Sequence, residues 1–175
     1  MTAPFSLRRL GPEDAESFRE LRLEGLRLHP DCFGADWEEE SQKPIAFFAE
    51  RLERGWVLGG GVGASLAGVG GLYFPAEPKA RHKAWIWGMY VRAEARGAGL
   101  GHALVAGLLQ RAAEVAEIVH LTVTSTNVGA MRLYAAAGFT VYGLEVHALK
   151  LADRYVDELL MVRPARLAPP APAPG

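Results

Sequence analysis

The stretch Met89–Leu109, "MYVRAEARGAGLGHALVAGLL", decides how this chain is read. A run of strand-forming residues stops, glycines fall at Gly97, Gly99 and Gly101, and an amphipathic run begins. A tight turn needs one glycine. Three at alternate positions, led in by Arg96, predict a loop whose backbone N–H groups are laid bare for an anion.

Two familiar phosphate loops are excluded by spacing. The dinucleotide fingerprint needs Gly-x-Gly-x-x-Gly after the first strand of a βαβ unit, and the order here is Gly97-Ala98-Gly99-Leu100-Gly101-His102, in mid-chain. A Walker loop ends in Gly-Lys-Ser/Thr, where this chain has Gly101-His102-Ala103. The earlier cluster "LGGGVGASLAGVGG" falls in a hairpin pattern, and strand twist and turn geometry account for its glycines.

Working outward, "FSLRRL" reads as a short strand. "GPEDAESFRELRLEGLRLHP" opens a helix with Pro12 near its start and Glu13 and Asp14 in its first turn. The linker "DCFGADWEEESQKP" leads to a second helix, "IAFFAERLERG". Strands "WVLGGGV" and "LAGVGGLYF" follow, joined at "GAS", then the strand "KAWIWGMYV" with Gly88 in its interior. After the glycine loop a helix carries Leu104, Leu108, Ala112 and Val115 on one face. "EIVHLTVT" reads as a strand buried on both faces, and "NVGAMRLYAAAG" as a helix capped by Asn127 and stopped by Gly138. "FTVYGLEVHALKL" and "YVDELLMV" are the last two strands. The order predicts an α/β layer fold with a mixed sheet. Residues 1–162 form one domain in this reading, and 163–175, with four prolines in the last seven residues, a Pro/Ala-rich tail.

Composition narrows the classes. The chain has 175 residues, of which 22% are charged, with a net charge of −1. That balance argues against a nucleic-acid binder relying on bulk positive charge. Cys32 is the only cysteine, so no internal disulfide forms, no thiolate zinc site is expected, and its plain reading is a small hydrophobe beside Phe33. With no signal peptide or spanning segment in the pattern, a cytoplasmic protein with no membrane partner is the expectation.

Taken together, "WGMYV", "VRAEARGAGLG" and "NVGAMRLYAAAGF" give the chain its resemblance to the GNAT N-acetyltransferase superfamily, covering Phe5 to about Val162. The resemblance implies a central mixed sheet of about seven strands, splayed between the fourth and fifth and flanked by about four helices. Acetyl-CoA would lie in the gap, with no metal. It also implies that Arg96 and the backbone of Gly97, Ala98, Gly99, Leu100, Gly101 and His102 hold the pyrophosphate. Met89, Tyr90 and Val91 would pair with the pantetheine arm, and an N–H near Met89 or Val91 would face the thioester oxygen. Gly88 would open the strand at a bulge. Asn127 would contact the cofactor arm, or cap its helix, or both. Tyr134 would protonate the departing thiolate; its alternative is a half-buried helix aromatic.

The general base stays open, because "HKAWIWGMYV" has no acid. The candidates are Glu38, Glu39 and Glu40, then Glu145, His147 and His82, although a run such as "DWEEES" is usually solvated. The acceptor side implied by the resemblance, "HPDCFGADWEEES" and "EVHALKLADRYVDELL", is acidic and favours a cationic amine. Trp37, Trp85 and Trp87 could wall that site or simply fill the core. The expected partners are acetyl-CoA and an amine acceptor, with a homodimer left open and no nucleic acid. An acyl-CoA sensor and transfer to a non-amine acceptor are the competing functions.

Overall fold

The computed structural model describes residues 5–62 and 65–166. Gly63 and Ala64 of the expected hairpin turn, and residues 167–175 of the expected tail, lie outside the described residues. Strand β1 (Ser6–Arg9) is followed by helices α1 (Ala15–Leu28), α2 (Trp37–Ser41) and α3 (Ile45–Arg54). Strands β2 (Trp56–Val62), β3 (Ser65–Tyr73) and β4 (Lys83–Val91) come next, then α4 (Leu100–Val115) and β5 (Ile118–Thr124). Helix α5 (Val128–Ala136) and strands β6 (Thr140–Lys150) and β7 (Tyr155–Pro164) complete the fold. The strands form one sheet in the order β1-β2-β3-β4-β5-β7-β6. Every pairing is antiparallel except β4 with β5.

That parallel pair is short. Only Lys83–Trp85 match Ile118–His120, and beyond them the two strands part. Gly88 sits where β4 begins to diverge, at φ +63, and the β3–β4 register slips between Val69 and Gly71. Two residues of β4 there oppose one of β3, the bulge expected at this glycine. Strand β5 differs from its expected burial on both faces. Val119, Leu121 and Val123 are buried, whereas on the alternate face Ile118 and His120 are half-buried, Thr122 is exposed where it borders the opening, and only Thr124 is buried.

Two apolar cores flank the sheet. One joins α4 and α5 to the sheet through Leu104, Leu108, Ala112, Val119, Leu121 and Met161. The other joins α1 and α3 through Phe18, Leu21, Phe48, Leu52 and Val69. Val115 departs from the expected apolar face of α4: it is 47% exposed, and Ala116 is buried in its place. The glycines of β2 and β3 serve packing as well as turn geometry: at Gly61, where the β2–β3 register slips, a Cβ would run into the Ser65 carbonyl. A Cβ at Gly60 would collide with Leu100 and one at Gly71 with the Trp87 ring, while one at Gly68 would crowd Leu104 and Leu100, so bare backbone lets these side chains lie close on the sheet.

The acidic linker carries the fifth helix. Asp36 caps α2 by accepting the Glu39 N–H at 3.0 Å, so one acid of the run is used by the backbone. Glu40 is buried, against the solvated reading of that run. Its carboxylate accepts two bonds from Arg22, at 3.1 Å each, and one from Arg51 at 3.2 Å. This cluster ties α1, α2 and α3 together and backs the bulge, since Arg22 Nη1 lies 3.5 Å from where a Gly88 Cβ would stand. At the other end of the sheet, β7 passes the expected boundary at Val162. Arg163 is buried and donates to the Ala137 carbonyl beyond the end of α5, Ala165 is buried, and Arg166 Nε donates to Ala113 O at 2.8 Å.

Burial raises the Glu40 carboxyl, but Arg22 and Arg51 outweigh it and hold the group below its ordinary value of 4.5. A depressed carboxyl stabilises the fold above its unfolded pKa and loses that contribution as pH falls through its folded value. Glu40→Ala leaves two guanidiniums without their acceptor and should cost about 3–5 kcal/mol at neutral pH, read by urea denaturation. The gap from the native protein should narrow below pH 4.5. A loss below about 1 kcal/mol at neutral pH would show the cluster to be energetically idle.

Candidate active site

Where β4 and β5 part, a cleft of about 690 Å³ opens. The size lies within the range of small-molecule sites, about 300–1,000 Å³. Met89, Tyr90 and Val91 line one wall, and Asn127 and Tyr134 the other. Arg96, Gly97, Gly99, Gly101 and His102 form its mouth, so ten of the twelve residues singled out in the sequence converge here. Ala98 and Leu100 do not line it with side chains. Leu100 is 1% exposed, its side chain in the core, which leaves only its backbone for a ligand, and Ala98 is exposed outside the cleft.

The loop takes its shape from two glycines. Gly97 and Gly99 have φ of +78 and +89, and a Cβ at either would meet nothing within 4 Å, so conformation rather than space demands glycine. Gly99 is the N-cap of α4, the longest helix among the described residues. The N–H groups of Leu100, Gly101 and His102 lie in its first turn, where no intrahelical carbonyl is available to them. With the helix dipole they make the mouth electropositive. Gly101 is different: its Cβ would touch Leu133 at 3.5 Å, an ordinary contact. Arg96 Nε donates to Val91 O at 2.9 Å, and its Nη2 lies 3.1 Å from His29 Nε2. The guanidinium is thereby parked over the open edge of β4.

Tyr90 has a structural duty as well. Its hydroxyl donates to Glu24 Oε1 at 2.9 Å, and burial, then the bond and charge of Glu24, push the phenol up to about 12. Asn127 caps its helix, one of the two roles expected of it. Its Oδ1 caps α5 by accepting the Ala130 N–H at 3.1 Å, while Nδ2 points to Cys32 Sγ at 3.5 Å in the cleft. Tyr134 is 6% exposed, borders the cleft, and has no hydrogen-bond partner among the described residues. Burial, and secondarily the neighbouring Cys32, hold its phenol above the ordinary value, so it keeps its proton at any working pH.

Cys32 is the residue the sequence reading undervalued. It ends a 3-10 turn, Pro30–Cys32, and Thr124 Oγ1 approaches its sulfur at 3.9 Å. A second, smaller cleft of about 240 Å³ opens on the other side of this point, bordered by Arg22, Trp87, Gly88, Thr122 and Glu158. Cys32, Met89, Asn127 and Tyr134 border both clefts, so the two meet there. His29-Pro30, which ends the first helix pattern, was the available signal: it turns the chain so that the next residues fold back over β5.

The candidate bases fare unevenly. Glu40 is held by two arginines, Glu39 pairs with Lys43 at 3.0 Å, and Glu38 is exposed on α2. His82 lies at the closed end of the gap, where its carbonyl accepts the Glu117 N–H at 2.8 Å. His147 stacks on Tyr155 with centroids 4.3 Å apart and borders neither cleft. Glu145 is exposed on β6, opposite Glu158. Of the tryptophans, only Trp87 reaches the second cleft. Trp85 stacks on His120 at the closed end, and Trp37 borders a separate groove between α1 and the start of α3. No group of metal-ligating side chains occurs among the described residues, and no helix among them is long and apolar enough to cross a membrane.

Comparison with known proteins bears on this geometry. The model of the Acetyltransferase (GNAT) family matches residues 22–139. A GNAT-family acetyltransferase from Streptococcus pneumoniae superposes with a TM-score of 0.77 at 20% identity, covering 91% of this chain and 98% of that one. The protein yncA from Salmonella typhimurium, solved with its cofactor acetyl-CoA, gives 0.76 at 20% identity, covering 95% and 98%. A ribosomal-protein-alanine N-acetyltransferase from Brucella melitensis gives 0.75 at 20% identity, covering 91% and 99%. At such identities the likeness is one of fold. A search of curated protein sequences finds no match.

The Cys32 thiol is raised above its ordinary value, chiefly by burial, and therefore stays protonated near neutrality. Alkylation by iodoacetamide, followed by intact-mass spectrometry, should be slower at pH 8 than for a simple thiol and still climbing above pH 9. A rate that levels off at or below pH 8 would mean that the sulfur is ionised and the cleft is wetter than described.

Proposed function

Because this chain belongs to the GNAT acetyltransferase family, we propose that it moves an acetyl group from acetyl-CoA to a primary amine by direct attack in a ternary complex. The observation that carries this reading is the larger cleft: an unpaired strand edge leading from a glycine loop at a helix N-terminus to a buried phenol.

The residues present suit the donor. Two φ-positive glycines and the free N–H groups of the first turn of α4 form a cradle for a pyrophosphate. Arg96 swings from Val91 O and His29 to add a charge-assisted contact. That swing frees the Val91 carbonyl, so the backbone of Met89–Val91 can pair with an extended pantetheine amide as with an added strand. An N–H of this edge faces the thioester oxygen and stabilises the oxyanion. Asn127 turns one N–H of Nδ2 to Cys32 and has the other to offer the arm, while its Oδ1 caps α5.

Tyr134 serves the leaving sulfur. A phenol near 10 is already a weaker acid than a thiol near 8.5, and burial widens the gap. Outright protonation of a free thiolate would run uphill. The phenol therefore acts as a hydrogen-bond donor to the charge developing on sulfur, and its proton crosses as the C–S bond breaks. A domain reaching Arg166 accommodates this machinery, with the Pro/Ala-rich remainder following it.

Two variants test the reading. Gly101→Ala adds a methyl group that the protein tolerates but that crowds the cradle, so CoA affinity should fall about tenfold or more by calorimetry with an unchanged melting temperature. Unchanged affinity would remove the phosphate from this loop. Tyr134→Phe should keep CoA affinity and lose about tenfold or more in single-turnover acetyl transfer. A wild-type rate would take the acid role from Tyr134.

A further inference from the structure

We propose that Glu158 receives the acceptor's ammonium group in the smaller cleft and takes its proton, and that Phe33 and Trp87 restrict the acceptor to a small primary amine with an apolar or aromatic body. The inference rests on the acetyltransferase reading above and adds to it a base and a substrate class.

Position comes first. Glu158 on β7 lies directly opposite Thr124 of β5, and directly paired residues project from the same face of a sheet. Thr124 reaches Cys32, so this is the face covered by the Pro30–Cys32 turn, where the two clefts meet at Tyr134. An amine held by Glu158 thus approaches the transfer point from the side opposite the donor.

Charge follows. Among the described residues, the ionic side chains bordering the smaller cleft are Arg22 and Glu158. Arg22 is engaged by the Glu40 carboxylate through two bonds. Glu158 has no cationic partner among the described residues, so the cleft offers a cation one vacant carboxylate. Burial raises this carboxyl above its ordinary value, the Thr122 hydroxyl pulls it down, and the charge of Glu145 on β6 raises it again. The other titratable groups around the cleft are the Cys32 thiol and the Tyr134 phenol, both neutral near pH 7. A carboxylate of raised basicity is better matched to accepting a proton from an ammonium.

Size and walls set the class. At about 240 Å³ the cleft falls below the usual range of ligand sites, about 300–1,000 Å³, so it takes a small molecule or only the end of a larger one. Its aromatic walls are fixed. The Arg22 guanidinium lies 5.4 Å from the centroid of the Phe33 ring, and that of Arg51 lies 5.6 Å from Trp87. Held from one face by these guanidiniums, the two rings border the cleft as apolar surface suited to a body behind the amine, and they give a polycation no second anionic contact.

The step balances. One ammonium proton passes to the Glu158 carboxylate, and the freed lone pair bonds to the thioester carbon. The C–S bond breaks as the carbonyl re-forms, and sulfur takes the Tyr134 proton. The further proton that nitrogen loses on becoming an amide restores the phenol, and the Glu158 proton leaves to solvent.

The test uses the full chain, 2-phenylethylamine and kanamycin as probes, and CoA affinity as a control. The native protein should acetylate 2-phenylethylamine in preference to kanamycin. Glu158→Gln should keep its CoA affinity and lose about 10²–10⁴-fold in single-turnover rate at pH 7, with the deficit shrinking as pH approaches the pKa of the amine. Glu158→Asp, which retracts the carboxylate but keeps it, should fall between the two, and it stands in if the glutamine variant does not fold. A protein that binds CoA but transfers to kanamycin alone, or to neither amine, overturns the substrate class. Native-like rates at pH 7 in both variants overturn the base. Failure of the native protein to bind CoA would instead overturn the donor reading on which this rests.

Discussion

Strands β4 and β5 share three residue pairs, and beyond Trp85 and His120 each must find other partners for its backbone. Buried N–H and C=O groups rarely stay unpaired, so a parting of this kind persists only where something answers the exposed edge. Strand β5 is held from its other edge by β7, paired along its whole length, and the Pro30–Cys32 turn packs near it. On β4 the answer is only partial: the bulge at Gly88 turns the strand away, and Arg96 occupies the Val91 carbonyl. The rest of this edge of β4 stays unpaired with β5, and the glycine loop lies at its open end.

Holding the gap open requires rigidity behind it. The buried Arg22–Glu40–Arg51 cluster fixes α1, α2 and α3 against one another beneath the bulge. Across the gap, Arg163 joins the end of α5 to β7 and so fixes the helix that carries Tyr134. Two fixed walls meet at a point bordered by Cys32, Asn127 and Tyr134. That meeting of clefts is what a reaction between two bound substrates needs: one can be presented from each side without crossing the other.

Much of this was legible in the sequence because it is written in local signals. Glycines in a loop before an amphipathic helix, a glycine inside a strand, and an asparagine before a helix each have short-range physical causes, and Gly99, Gly88 and Asn127 occupy the conformations those causes require. What escaped depends on partners distant in the chain. Glu40 reads as one of three solvated acids until Arg22 and Arg51 are seen to bury it. Cys32 reads as a small hydrophobe until Thr124 and Asn127, more than ninety residues away, are placed around its sulfur. The backbone role read for the hairpin glycines holds at Gly61, where the strand register slips, but at Gly60 and Gly71 it is Leu100 and Trp87 that need the missing side chain. Strand β5 looked buried on both faces because no pattern within seven residues reveals a neighbouring strand turning aside.

The central claim is that the open edge of β4 and the glycine loop together form the donor site. Backbone amide chemical shifts recorded as CoA is added test it most directly, since they report each N–H separately. The account predicts that the large shifts fall on Met89–Val91, Gly97–His102 and Asn127–Ala130. Shifts concentrated instead in the groove bordered by Glu16, Arg19 and Ile45, or none at saturating CoA, would contradict it.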